Sequence, residues 1–84
     1  MGNLDIFLEA LRRVEDLHSK FPDVQTIQSI IRQLEYLIGV KNGSNDRSRL
    51  GEIILGVQAA REIEPLDGEL AELLYRISDE AKQM

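Results

Sequence analysis

The clearest helical pattern in the chain lies at residues 24–40, which read VQTIQSIIRQLEYLIGV. Apolar residues recur there at spacings of three and four, which places them on one face of an α-helix. That face carries Ile27, Ile30, Ile31, Leu34, Leu37 and Ile38. We predict a central core helix that ends at residues 41–45, KNGSN, because Gly and Asn favour the conformations that terminate helices and form turns.

The residues before this segment predict a first helix, from about Leu4 to Lys20. Its apolar stripe consists of Leu4, Phe7, Leu8, Leu11 and Val14. Pro22 cannot continue a helix, and it biases Phe21 away from helical dihedral angles. The first helix should therefore end at this point, and Asp23 is suited to cap the second helix.

The residues after the central segment predict two more helices. The third would start at Asp46 or Ser48, either of which is a good N-cap, and would end near Ile63. Its predicted core stripe is Leu50, Ile53, Ile54, Val57 and Ala60. Pro65 interrupts the pattern, and Asp67 is the expected N-cap of the fourth helix. The stripe of that helix is Leu70, Leu73, Leu74, Ile77 and Ala81.

Four helices with short connections predict an all-α fold, a four-helix antiparallel up-and-down bundle. A less regular array of helices is the alternative. A chain of 84 residues supports one hydrophobic core. We expect residues 1–84 to form a single domain, because no repeat or low-complexity tract divides them.

The composition excludes several classes of function. The chain has no cysteine, so disulfides, thiolate nucleophiles and sulfur-ligated metals are ruled out. Its net charge of −5 would repel nucleic acid and attract a basic protein partner. No apolar run approaches the roughly 18 residues that span a bilayer. The start of the chain resembles neither a signal peptide nor, at Gly2, a lipidation signal, and we expect a cytoplasmic protein without membrane contact.

The sequence offers little to support catalysis. His18 is the lone histidine, and Glu15 lies three residues before it, so a His–carboxylate pair is conceivable. No nucleophile motif, phosphate loop or set of metal ligands accompanies this pair. We expect no enzyme activity, no cofactor and no metal, with His18 at the edge of the core.

An acidic cluster surrounds the last predicted turn. Asp67 and Glu69 are explained by the favourable position of carboxylates at a helix N-terminus. Glu62 and Glu64 lie at a helix C-terminus, where the dipole disfavours anions. These two carboxylates are therefore candidates for a partner contact, and a solvated charge cluster is the alternative.

A second, semi-apolar stripe is predicted on the outer side of helices two and three. It comprises Ser29, Gln33, Tyr36 and Val40 on one helix and Ser48, Leu55, Ala59 and Glu62 on the other. Helices that are apolar on two sides often present a surface that another protein covers. Tyr36 is the expected anchor of that surface. Gly56, within the third helix, indicates the close approach of another group, most simply within the bundle.

The same residues carry a resemblance to a known family. The likeness runs through four short motifs: Gln33-Leu34-Glu35-Tyr36, Asp46-Arg47-Ser48-Arg49-Leu50, Leu55-Gly56-Val57-Gln58-Ala59, and Glu62-Ile63-Glu64 followed by Asp67-Gly68-Glu69-Leu70. In their order and spacing they resemble bacterial immunity proteins that neutralise type VI secretion effectors. The match reaches back to Ala10 and forward to Leu74, whereas residues 75–84 diverge from the pattern.

The resemblance implies a helical, non-enzymatic protein that binds the toxin domain of a cognate effector and covers its active site. The best-known member of that family blocks an NAD(P)+ glycohydrolase toxin. We therefore expect a partner-binding surface that includes Gln33, Tyr36, Leu55, Ala59, Glu62, Glu64 and Asp67. Asp46, Arg47 and Ser48 match the family too, but helix capping and loop support are their expected roles. A homo-oligomeric adaptor that uses the same surface is the alternative, and a homodimeric immunity protein is left open.

Overall fold

The computed structural model describes residues 3–84 and contains only helices and turns within that range. The helices are α1 (Asn3–Lys20), α2 (Gln25–Lys41), α3 (Leu55–Gln58) and α4 (Gly68–Lys82), with a 3-10 turn at Leu50–Glu52 and a π-helical turn at Ala59–Ile63. This confirms the all-α class with four helical regions, while the antiparallel order stays a prediction. The expectation about Gly2 falls outside the described residues.

Helices α1 and α2 pack against each other, and a short turn joins them. The predicted core face of α2 is confirmed, since Ile27, Ile30, Leu34 and Leu37 are buried. In α1 the buried residues are Phe7, Ala10, Val14 and Leu17. Leu8, predicted for the core, is 48% exposed. Asp23 does not cap α2. The N-cap position is occupied by Val24, and no side-chain hydrogen bond caps the helix there.

The end of α2 follows the prediction. Gly43 has a φ of +86°, the left-handed conformation that glycine adopts without strain. The N–H of Gly43 donates to the Val40 carbonyl at 3.3 Å, and that of Ser44 donates to the Gly39 carbonyl at 2.8 Å. These two bonds form a Schellman motif. Gly39 leaves room for Asn45, whose side-chain nitrogen lies 2.0 Å from where a Cβ on Gly39 would stand.

The third helical region differs from the prediction in both extent and orientation. Instead of one helix of about four turns, the chain forms the 3-10 turn, an extended residue at Ile53, and α3 continued by the π-helical turn. The buried residues are Leu55, Ala59 and Ile63. Three residues assigned to the core stripe are exposed instead: Ile54 by 51%, Val57 by 58%, and Ala60.

The π-helical turn explains this core face. The Glu64 N–H donates to the Ala59 carbonyl at 2.8 Å, five residues back. In a π-helical turn each residue rotates the chain about the helix axis by a smaller angle than in an α-helix. Residues four apart therefore point in more nearly the same direction. Leu55, Ala59 and Ile63 therefore stay on one side and face α4.

Helix α4 closes the core as predicted. Asp67 Oδ1 accepts a hydrogen bond from the Leu70 N–H at 3.1 Å, which confirms Asp67 as the N-cap. All five residues of the predicted stripe are buried. The hydroxyl of Ser78 lies 3.2 Å from where a Cβ on Gly56 would stand, so Gly56 is explained by packing of α3 on α4.

Candidate partner-binding surface

A hydrogen-bond network centred on Gln33 joins α2 to the start of α3. Gln33 Oε1 accepts from the N–H of Ile54 at 2.8 Å. Gln33 Nε2 donates to Gln58 Oε1 at 2.6 Å and to Ser29 Oγ at 3.2 Å. Gln58 Nε2 also donates to Ser29 Oγ, at 3.1 Å. The half-buried Gln33 thus uses both ends of its amide within the protein and fixes where the chain turns into α3.

Tyr36 fixes the loop that follows α2. Its hydroxyl donates to the Asp46 carbonyl at 2.7 Å and accepts from the Arg49 N–H at 3.0 Å. The side-chain amide of Asn45 donates to the Tyr36 carbonyl at 3.2 Å. Tyr36 is half-buried against the core, so its ring is less free to anchor a partner than the sequence predicts.

Asp46 and Ser48 hold the same loop in place. Asp46 Oδ1 accepts from Ser48 Oγ at 2.6 Å and from the Ser48 N–H at 3.1 Å. These bonds, with the side-chain bond the larger influence, keep the pKa of the Asp46 carboxyl below its usual 3.8. The expected loop-supporting role of both residues is confirmed, although no helix begins at either one.

A groove of about 300 Å³ lies over the Gln33 network. Its lining residues are Ser29, Arg32, Gln33, Tyr36, Arg49, Glu52, Ile53 and Ile54. Two of the predicted partner-binding residues, Gln33 and Tyr36, are thereby brought to one site. The sequence analysis did not single out Arg32 and assigned Ile54 to the core, and their place in the groove depends on the unpredicted break before α3.

Leu55 and Ala59 are corrections to the predicted surface. Both are fully buried, and they belong to the core face of the third region. The sequence pattern offered two stripes for this region, and these two members of the stripe assigned to the outside face inward, while Ser48 and Glu62 are exposed. Neither side chain is accessible to a partner in this fold.

The acidic residues near the last turn separate into different roles. Glu64 Oε1 accepts from the Tyr75 hydroxyl at 2.5 Å. This bond, more than burial or the neighbouring charge of Glu72, raises the pKa of Tyr75 above its usual 10.0. Asp67 caps α4 and lies 3.8 Å from Arg13 Nη2. Both carboxylates therefore have structural uses, which the sequence anticipated for Asp67 and not for Glu64.

Glu62 is the exposed member of the predicted set that has no partner among the described residues, whereas the likewise exposed Glu64 accepts a hydrogen bond from Tyr75. It lies in the π-helical turn, four residues beyond Gln58. Among residues 3–84 it has neither an ion pair nor a hydrogen bond through its carboxylate. Its role as a partner contact stays a prediction.

Residues 3–84 present no set of side chains suited to metal chemistry. The part of the chain that the structure describes contains no group of three His, Asp or Glu side chains placed to hold a metal ion. His18 is half-buried, and its Nε2 lacks a hydrogen-bond partner among these residues. Over the same range, no helix has the length and apolar character needed to cross a membrane.

A sequence model of the Tsi6 family matches residues 2–83. The chain belongs to the Tsi6 family. Its structure is similar to that of Tsi6 from Pseudomonas aeruginosa, with a TM-score of 0.85 and 29% sequence identity over 96% of this chain and 95% of that chain. No curated protein sequence matches the chain.

Tsi6 proteins are type VI secretion immunity proteins, so the resemblance found in the sequence is confirmed. An immunity protein of this kind binds a cognate effector. The family match extends through residue 83, so the sequence-based limit at Leu74 was too short. Helix α4 therefore belongs to the family fold along its full length.

Proposed function

We propose that the protein binds the toxin domain of a cognate type VI effector in the cytoplasm and blocks its active site, and that this toxin is an NAD(P)+ glycohydrolase. The observation that carries the proposal is membership of the Tsi6 family across residues 2–83. The protein itself performs no catalysis in this proposal. The assignment of NAD(P)+ as the toxin's substrate is taken from the resemblance found in the sequence.

The mechanism is steric occlusion. A cleft that admits a dinucleotide must be open to solvent, and the face of a helical protein can cover such an opening. The Gln33 and Tyr36 hydrogen bonds hold α2, the loop and the start of α3 together, so this face is preorganised. Preorganisation lowers the entropic cost of binding. The face can therefore exclude the substrate without rearranging.

Charge supports the encounter with the toxin. The protein carries a net charge of −5, and a site that binds pyrophosphate needs basic groups. Opposite charges accelerate association, and this effect weakens as salt is added. Of the three carboxylates predicted to contact the partner, Glu62 is the one free to meet such a basic group, because Glu64 and Asp67 already have intramolecular partners.

The proposal is tested by titrating the purified protein into the toxin domain of the effector encoded beside its gene, while NAD+ consumption is followed. We expect the rate of NAD+ consumption to fall linearly as the protein is added and to reach its end point near a one-to-one molar ratio. A toxin that binds the protein but never consumes NAD+ would retain the immunity function and overturn the glycohydrolase assignment. Absence of binding would overturn both, and sedimentation of the protein alone would then test the homo-oligomeric alternative.

A further inference from the structure

The groove over the Gln33 network has a charge opposite to that of the whole protein. Two arginines line it, Arg32 and Arg49, together with one carboxylate, Glu52. Arg49 Nη2 lies 3.4 Å from Glu52 Oε1, so these two charges are paired. Arg32 forms no hydrogen bond or ion pair with any of residues 3–84. The charged residues that line the groove therefore leave one unpaired positive charge, that of Arg32, in a protein whose net charge is −5.

Apolar side chains lie beside this free cation. Ile53 and Ile54 line the groove, and Ile54 is 51% exposed. Val57, 58% exposed, follows three residues later, in α3. Contiguous exposed apolar patches with a polar rim mark surfaces that another protein covers. The bond from the Ile54 N–H to Gln33 Oε1 ties this end of α3 to α2.

We propose that this groove binds a segment of the effector's toxin domain that presents a carboxylate beside an apolar side chain. Arg32 pairs with the carboxylate, and Ile54 and Val57 cover the apolar group. The planar guanidinium of Arg32 has two donors in the geometry that a carboxylate accepts. This inference rests on the proposed function, since it names the chemistry that the immunity surface recognises in its partner.

A pair of charge reversals tests the role of Arg32. Arg32→Glu and Arg76→Glu each change the net charge by two units, from −5 to −7, so they alter long-range attraction equally. Arg76 is exposed on α4 and is not among the groove residues. Binding of each variant to the purified toxin domain is measured by calorimetry, after circular dichroism has verified its helicity.

We expect Arg32→Glu to raise the Kd about a hundredfold, because a like charge would replace the pair. Arg76→Glu should change it by less than about threefold, as for a charge outside the contact. Added salt should narrow the gap between Arg32→Glu and the wild-type protein. Equal effects of the two reversals would overturn the proposal, as would tighter binding by Arg32→Glu, which would indicate a basic segment in the groove.

A second pair of variants tests the apolar part. Ile54→Ala and Leu8→Ala remove side chains of nearly equal exposure, 51% and 48%. We expect Ile54→Ala to raise the Kd about tenfold, as truncation of an interface anchor does, and Leu8→Ala to leave it within about twofold. If wild-type protein binds the toxin and neither pair shows this difference, the groove assignment is wrong and the immunity function stands. If wild-type protein fails to bind, the proposed function itself falls.

Discussion

Gln33 Oε1 accepts a hydrogen bond from the backbone N–H of Ile54 at 2.8 Å, across 21 residues of sequence. Ile54 is the residue that precedes α3, where a helix leaves backbone N–H groups without intrahelical partners. A side chain from α2 thus accepts from the N–H of the N-cap residue, the role that a Glu or Gln at the third helical position has in a capping box. The helix start and the groove wall are fixed by the same contact.

The first prediction is that Gln33→Ala destabilises the protein by about 1–2 kcal/mol. The substitution leaves the Ile54 N–H and Gln58 Oε1 without their partner, and an unsatisfied group costs more than an average hydrogen bond. Urea unfolding followed by circular dichroism measures the change. Gln28→Ala, at an exposed position of the same helix, is the control and should change stability by less than about 0.5 kcal/mol.

Tyr36→Phe should loosen the loop between α2 and α3 while leaving the core intact. It removes the hydroxyl that donates to Asp46 and accepts from Arg49, at a cost of about 1 kcal/mol. Hydrogen exchange should accelerate at residues 46–54 and stay unchanged in α1. Tyr75→Phe removes a phenolic hydroxyl from α4 instead, and it should leave the hydrogen-exchange rates of the loop at their wild-type values. Uniform acceleration throughout the chain would contradict a local role for Tyr36.

Two glycines should respond differently to substitution by alanine. At Gly39 a Cβ would lie 2.0 Å from the Asn45 side-chain nitrogen, so Gly39→Ala must displace Asn45 and should cost about 2 kcal/mol. At Gly56 the nearest atom is the Ser78 hydroxyl at 3.2 Å, which needs to move only slightly, and the helix gains propensity. Gly56→Ala should therefore be close to neutral in thermal unfolding.

A double substitution distinguishes steric conflict at Gly39 from other effects of the added methyl group. If the conflict is with Asn45, the cost of Gly39→Ala should shrink by at least half when it is introduced into an Asn45→Ala background. The two positions are in contact, so their effects are expected to be non-additive. Full additivity would place the origin of the cost in the helix backbone.

The sequence predicted α1, α2 and α4 because each has one dominant apolar stripe and a clear terminating signal. The Gly43 turn and the Asp67 cap were both identified in this way. The third region was harder, because it offers two stripes that fit helical spacing about equally. Packing against α4, which no local pattern reports, determined that Leu55 rather than Val57 faces inward.

The candidate site was only partly predictable for the same reason. Tyr36 and Gln33 were singled out by their position off the core stripe, and both line the groove. Their side-chain hydrogen bonds to the loop and to α3 reach residues that are 10 to 25 positions away in sequence, and no local pattern encodes such pairings. Arg32 became notable only when the fold showed that Glu52 pairs with Arg49 and leaves Arg32 free.

The bond between Tyr75 and Glu64 predicts a pH-dependent property. It raises the pKa of Tyr75, so the protonated phenol is stabilised in the folded protein. The stabilisation is fully present below the usual pKa of 10.0 and is lost as the pH rises through the higher folded value. In a Tyr36→Phe background Tyr75 is the sole tyrosine, so phenolate absorbance reports it directly.

Glu64→Gln should lower the pKa of Tyr75 toward 10.0 in that absorbance titration, because it removes the carboxylate that accepts the phenolic hydrogen. Glu62→Gln is the matched control, since it removes an equal charge nearby without touching the phenol. An unchanged titration in Glu64→Gln would show that the hydrogen bond does not persist in solution.

Glu62→Lys should weaken binding to the toxin domain without affecting the fold. The carboxylate is exposed and unpaired within the described part of the chain, so its reversal has no intramolecular cost to confuse the result. If it meets a basic group of the toxin, the reversal should raise the Kd at least about tenfold and reduce the association rate.

Glu15→Lys, on an exposed position of α1, makes the same change in net charge and should act only through the weaker long-range field. Stopped-flow association and equilibrium titration, compared at low and high salt, separate the two contributions. Equal Kd values for the two variants would remove Glu62 from the contact surface and leave the groove beside Arg32 as its remaining charged part.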